Sequence, residues 1–182
     1  MSVGLLLIDI QNDYFPGGKM ELQKSVEAAQ VAGRLIDCFR QRQLPVVHIQ
    51  HLSVRAGATF FIPGTPGADL YERVKPQPGE TVIQKHYPNS FRETGLLAHL
   101  QGSGIQRLVI AGMMTHMCVD ATVRAATDYG FECQIVQDAC ATRNLKLNGQ
   151  EVAARDVHVA FLAALNGTYG RVVTADAVIA ER

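Results

Sequence analysis

The chain has no tryptophan, and phenylalanine and tyrosine together make up only 7% of it. That leaves little material for the stacked aromatic platforms on which proteins hold single-stranded nucleic acid. It has no excess of either charge: 17 Lys and Arg stand against 17 Asp and Glu. A neutral chain carries no electrostatic footprint for nucleic acid or for an anionic membrane surface. No apolar run approaches the roughly 20 residues needed to cross a bilayer. The run from Gly4 to Ile8 stops at Asp9 and has no basic segment before it, so it reads as a strand and not as a signal peptide. A cytoplasmic location is expected. The four cysteines, Cys38, Cys118, Cys133 and Cys140, form no CxxC pair and match no common zinc spacing. Disulfides are not expected in that compartment. A nucleotide-binding reading fits poorly. Gln11-Asn12-Asp13 stands where a glycine fingerprint would follow the first strand, and there is no P-loop.

What is present is material for a core. The chain has 182 residues, 47% of them apolar, which suits one globular domain over 1–182. Short apolar runs alternate with helical patterns. Val3–Ile10, Pro45–Gln50, Thr81–Lys85, Arg107–Ala111, Phe131–Gln137 and Arg171–Thr174 read as six strands. Helices are expected over 26–42, 91–100, 118–128 and 151–165, with a short helical tail. Near-continuous apolar strands separated by helices point to a parallel sheet covered on both faces. The largest irregular segment, 51–80, carries four prolines and four glycines. A loop that long inside a compact domain is usually functional or part of an interface.

In an open parallel sheet the active residues gather at the carboxyl ends of the strands, near the point where strand order reverses. Asp9 ends the first strand, Lys85 ends the third, and Cys118 follows the fourth and opens a helix. A thiol at a helix N-terminus beside an ammonium is expected to have a lowered pKa. A neighbouring carboxylate can take its proton and return it to a leaving group. Backbone N–H groups at the helix start can hold an oxyanion. Each residue also has a structural reading: Asp9 as a turn residue, Lys85 as a solvated lysine, Cys118 as a buried thiol. The rival to an enzyme is a non-catalytic binding or assembly module on the same fold. Cys38 and Cys133 read as core, and Cys140 as structural.

Four segments together resemble the isochorismatase-like hydrolases. They are Leu6-Leu7-Ile8-Asp9-Ile10-Gln11-Asn12-Asp13-Tyr14-Phe15, then Gln84-Lys85 with Asn89-Ser90-Phe91, then Ile110-Ala111-Gly112-Met113-Met114-Thr115-His116-Met117-Cys118-Val119, and Asp138-Ala139-Cys140-Ala141. They stand in the family's order and span nearly the whole chain. The resemblance implies a three-layer, doubly wound α/β fold with a six-stranded parallel sheet in order 3-2-1-4-5-6. It implies a catalytic triad of Asp9, Lys85 and Cys118. It also implies a cis peptide between Met113 and Met114, with the N–H groups of Met114 and Cys118 as the oxyanion hole. A homo-oligomer, dimer or larger, is expected by the same likeness.

A cysteine at the nucleophile position favours an amidase-type branch, and hence a small amide or related compound as substrate. The alternative is an isochorismatase- or nicotinamidase-type hydrolase. Nicotinamidases of the family add a metal site from an Asp and histidines after the second strand. Here Val47-His48-Ile49-Gln50-His51-Leu52-Ser53 lacks the Asp-x-His pattern, and His48 and His51 point to opposite faces of a strand. No metal and no cofactor is expected. The loop around Phe60 and Phe61 and the turn before Cys118 resemble bacterial members grouped with streptothricin hydrolase. Phe15, Phe60, Phe61, Tyr87 and His116 are the candidate pocket residues by position.

Overall fold

The computed structural model describes residues 2–181. Its strands are β1 (Ser2–Ile8), β2 (Val46–His51), β3 (Thr81–Lys85), β4 (Ile105–Met113), β5 (Glu132–Ala141), β6 (Leu145–Leu147), β7 (Gln150–Val152) and β8 (Arg171–Val173). Its helices are α1 (Ser25–Gln41), α2 (Leu96–Gly102), α3 (Asp120–Asp128), α4 (Ala154–Leu165) and α5 (Ala175–Ala180). Six strands form one parallel sheet in order β3-β2-β1-β4-β5-β8. The order is the expected one, with β8 as the sixth strand of the sheet. Among the described residues no helix is long and apolar enough to cross a membrane.

Alternation along β1 builds the three layers. Leu5 and Leu7 face one side, where they pack with Ala32, Leu35 and Ile36 of α1 and Val178 of α5. Leu6 and Ile8 face the other, where they meet Leu96 and Leu100 of α2, Val123 and Ala126 of α3, and Leu162 and Leu165 of α4. Strands buried on both faces must be apolar at every position, as β1 is. The first helices of the two wings therefore leave β1 and β4 on opposite sides, and a crevice opens between the two strands at their carboxyl ends.

Several boundaries differ from the sequence reading. α2 begins at Leu96, because 89–95 is taken up by turns: Asn89 Oδ1 accepts from Phe91 N, and Glu93 has a left-handed φ of 57°. α4 begins at Ala154, because Glu151 and Val152 belong to β7. The β6-β7 hairpin was not anticipated, although its turn is Asn148-Gly149, both with positive φ. That dipeptide is a strong hairpin signal. β5 runs on to Ala141, past a register shift against β4 between Ile110 and Gly112.

Candidate active site

Asp9 is the first residue past β1. Its φ is 51°, a left-handed conformation that aspartate tolerates better than most side chains. Its neighbour across the sheet is Gly112 of β4, paired with Ile8. A Cβ on Gly112 would stand 2.1 Å from the Ile8 carbonyl oxygen, so only glycine lets the two strands approach this closely. After Gly112 come the cis Met113–Met114 bond and a single π-helical turn over Thr115–Val119 that leads into α3. Such turns recur at functional sites. The Met114 N–H takes no part in a backbone hydrogen bond among the described residues. Cys118 lies in this turn, not at the head of a regular helix.

The three sequence candidates meet. Lys85, fully buried at the end of β3, places Nζ 2.9 Å from Asp9 Oδ2 and donates to the Pro88 carbonyl at 2.8 Å. Among the described residues neither Asp9 oxygen receives a well-aligned hydrogen bond, and the groups beside the carboxyl are the Lys85 ammonium and the Cys118 thiol. One ligand-type atom each of Asp9, His51 and Cys118 lies within 4.8 Å of the others. Burial works to lower the Lys85 pKa, but the Asp9 charge and the Cys118 sulfur raise it further, so the ammonium is cationic. The expected lowering of the Cys118 pKa is not found. Burial, and then the Asp9 charge, push the thiol well up. The Cys118 thiol therefore stands beside the Asp9 side chain with its proton held more tightly than in a free cysteine.

A cavity of about 600 Å³ opens onto Cys118. Phe60, Phe61 and Tyr87 line it, as do other residues of the first third of the 51–80 segment, none of them beyond Phe61. Two carboxamide and carboxylate side chains hold that loop in place. Gln11 accepts from His51 N at 2.7 Å and donates to the carbonyls of His51 and Ala68. Asp13 accepts from Phe61 N at 2.7 Å and Lys19 N at 3.1 Å, and a Cβ on Gly67 would collide with its carboxylate. The Gln11-Asn12-Asp13 segment thus ties the loop down over the site.

Two pocket candidates are elsewhere. Phe15 is packed in the core, stacked on Tyr71 with ring centroids 3.6 Å apart. It belongs to the inner side of the loop anchor and not to the cavity wall. His116 lies on nearly the opposite side of the turn from Cys118. Its Nδ1 is 2.6 Å from Thr142 Oγ1, and its ring meets Phe161 of α4. Residues missed by the sequence reading are Tyr14, His51, Arg55 and Arg143, which all line the cavity. His51 is the last residue of β2 and Arg143 lies two residues past β5, at the same edge of the sheet. Applying the edge filter to every strand would have found both.

His51 stands with Nδ1 4.0 Å from Asp9 Oδ2. Burial lowers its pKa more than the Asp9 charge raises it, so the ring is neutral near pH 7. His48, three residues earlier, points away and bonds Glu80 at 2.9 Å, as the strand geometry requires. Asp9, His51 and Cys118 form a three-donor set that the sequence reading did not assemble. It does not suit a catalytic metal. A cation there would occupy both the nucleophile and its base, beside the Lys85 ammonium.

The whole chain also resembles known proteins. The family model described as Isochorismatase domain matches residues 3–177. The chain is 51% identical over 179 residues to the uncharacterized isochorismatase family protein YddQ of Bacillus subtilis (strain 168), covering 98% of this chain and 99% of that protein. It is 30% identical over 184 aligned positions to a maleamate amidohydrolase of Pseudomonas putida, covering 93% and 82%. A crystal structure from Oleispira antarctica assigned to the isochorismatase hydrolases superposes with a TM-score of 0.95 at 48% identity, covering 98% and 96%.

Proposed function

The chain belongs to the isochorismatase family of hydrolases, and from that premise we propose that it hydrolyses a non-peptide C–N bond in a small amide or lactam, with Cys118 as nucleophile. The observation that carries this reading is the convergence of a thiol, a buried carboxyl group and a buried ammonium at the base of one cavity. Similarity to an amidohydrolase supports the amide substrate.

The reaction follows from the groups present. Asp9 takes the thiol proton as sulfur attacks the carbonyl carbon. The oxygen that becomes negative is held by the N–H groups of Met114 and Cys118. The intermediate collapses, the C–N bond breaks, and the amine leaves with the proton from Asp9. A thioester to Cys118 remains. Asp9 then deprotonates a water that attacks the thioester, and the proton returns to sulfur as the acid departs. Lys85 holds the Asp9 side chain in register throughout.

The test is a panel of small amides, ureas and lactams assayed for release of ammonia, amine or acid. Intact-mass spectrometry of the quenched enzyme accompanies it. Turnover with an acyl adduct that maps to Cys118 is expected. Turnover that persists in Cys118→Ala would end the covalent mechanism.

A further inference from the structure

We infer that His158 of α4 is a positioning residue for the reaction proposed above, and that it acts through the hydroxyl of Thr115. The inference rests on the hydrolase reading, because what it positions is the turn that carries the oxyanion donors Met114 and Cys118. Thr115 opens that turn and is fully buried. Its Oγ1 donates to the Ala141 carbonyl at 3.2 Å and lies 2.9 Å from His158 Nδ1. A hydroxyl has one proton to give, and a carbonyl only accepts. With that proton on Ala141, the ring nitrogen is the donor. His158, Thr115 and Ala141 then form a chain of two hydrogen bonds.

The chain fixes Met114 from both sides. Met113, before it, pairs with Ala141 in the ladder between β4 and β5. Thr115, after it, is bound to the carbonyl of the same Ala141. The Met114 N–H is thus set between two residues tied to one point of β5. A second pair repeats the device one residue on, where His116 Nδ1 is 2.6 Å from Thr142 Oγ1. That pair joins the turn to the end of β5 only. His158 belongs to another layer, and among the described residues its ring is the one side chain bonded to the Thr115 hydroxyl.

Holding α4 in place does not need this contact. The helix is anchored by Ala154, Val157, Leu162 and Leu165, all buried. His158 is half-buried and lines a second cavity, of about 410 Å³, between α1, the end of β5 and the start of α4. Burial holds its pKa below the usual histidine value, so the ring is neutral near pH 7. It acts by hydrogen bonding and not by charge. A displacement of about 1 Å at a reacting centre costs on the order of 10²-fold in rate. A hydroxyl that sets the oxyanion turn therefore bears on catalysis without touching the substrate.

Two probes of the same thiol separate positioning from general disturbance, and neither needs turnover. A small aldehyde adds to Cys118: the S–C bond forms, and the thiol proton passes to the carbonyl oxygen. That oxygen takes the place of the oxyanion at the Met114 and Cys118 N–H groups. Iodoacetamide alkylates the same sulfur with loss of iodide and makes no demand on them. Affinity for propionaldehyde labelled with 13C at the carbonyl is read by NMR, and alkylation of Cys118 by peptide mass spectrometry. His158→Phe keeps the ring and removes the donor. It should weaken the aldehyde adduct about tenfold, with the alkylation rate within about twofold of the wild type. His158→Asn, which presents an N–H at the reach of Nδ1, should restore most of the affinity. Thr115→Val should match His158→Phe, and the double variant should fall little further, because the two groups act as one unit. On any amide the panel yields, the loss should appear in kcat with KM nearly unchanged.

Aldehyde affinity unchanged in both His158→Phe and Thr115→Val overturns the inference. So does a parallel fall of affinity and alkylation, which would mark the contact as structural. If His158→Phe does not fold, His158→Gln replaces it, since its amide reaches the place of Nε2 and not of Nδ1. A selective loss without hydrolysis of any amide would leave the positioning role standing and defeat the proposed reaction. Turnover of amides without the selective loss would do the reverse. If the wild type forms no adduct, kcat of His158→Phe on an amide decides, and a protein that does neither loses both readings.

Discussion

Two carboxylates at opposite ends of the sheet's parallel strands are handled in opposite ways. Glu80, just before β3, receives Arg40 Nε at 2.7 Å, Arg40 Nη2 at 2.9 Å, Gln77 N at 2.8 Å and His48 Nε2 at 2.9 Å. Both of its oxygens are satisfied. Burial works to raise its pKa, but these donors outweigh it and hold the group at about 2. Asp9, deeper in the protein, has one cation at 2.9 Å and the Cys118 thiol beside it. The first arrangement ties α1 to β2 and β3. The second sets a carboxyl group next to a thiol. Glu80 has its donors supplied by the surrounding backbone and side chains, whereas Asp9 stands beside a thiol, as the base in the proposed reaction would have to.

The largest effects should come from the Asp9 side. Cys118→Ala should lower kcat by about 10³-fold or more, with Asp9→Asn close behind, because groups acting as one unit fail together. Burial alone does not make a thiol catalytic. It raises Cys140 to about 12 and Cys133 to about 11, yet neither has Asp9 or Lys85 beside it. Cys133→Ala and Cys140→Ala should keep most activity. Steady-state kinetics on any substrate found in the amide panel checks all four, with circular dichroism to confirm folding. A Cys140→Ala variant as damaged as Cys118→Ala would erase the distinction.

Stability should sort the two sites the other way. Replacing a buried ion pair by neutral groups of similar size is often neutral or stabilising, by up to about 1–4 kcal/mol. The double variant Asp9→Asn/Lys85→Met should therefore be inactive but at least as stable as the wild type. Asparagine also accepts the left-handed backbone at that position. Arg40→Met/Glu80→Gln leaves His48 and the Gln77 N–H with weaker partners and should cost about 1–2 kcal/mol. Urea unfolding of both variants decides, and the reverse order would show that the Asp9 pair is held for stability.

The acid limb of the stability curve gives a smaller effect. Glu80 has a usual pKa of 4.5 and a folded value of about 2. Its contribution is fully present above about pH 4.5 and is lost as the pH falls toward 2, because the unfolded chain takes up the proton first. Glu80→Gln should flatten the fall in unfolding free energy across that window. An unchanged slope would mean that the Arg40 and His48 contacts do not bind the charged form preferentially.

Much of this was legible in the sequence. The strands were visible because parallel strands buried on both faces are unbroken apolar runs. The sheet order and the candidate triad came from the resemblance of four ordered segments, and the edge rule put Asp9, Lys85 and Cys118 together independently. The failures have physical causes. Phe15 and His116 were placed by sequence distance from the site, but side-chain direction is set by the local turn. Cys118 and His116 are two apart and face nearly opposite ways. The helix start and a neighbouring ammonium predict thiol activation, but the burial that opposes it depends on tertiary packing around Cys118. His51, the last residue of β2, and Arg143, two past β5, lie at the same edge, and the edge rule reaches them only when it is applied to every strand.

The smallest effect expected is none at all, on removal of metal. Asp9, His51 and Cys118 could geometrically hold a cation, so the expectation needs an argument. A catalytic zinc needs three protein ligands and leaves the bound water as nucleophile. Here two of the three would be the base and the nucleophile themselves, and the Lys85 ammonium is 2.9 Å from the carboxylate that would have to bind the ion. A bound cation would suppress the thiol chemistry. Exhaustive dialysis against EDTA should leave kcat/KM within about twofold of its starting value, or raise it where stray zinc had occupied the thiol. Added zinc should inhibit, and His51→Gln should weaken that inhibition. Loss of activity on dialysis that returns with zinc, manganese or iron would mean that the Asp9 carboxylate receives a metal, and the contrast with Glu80 would then be one between a metal ligand and a salt bridge.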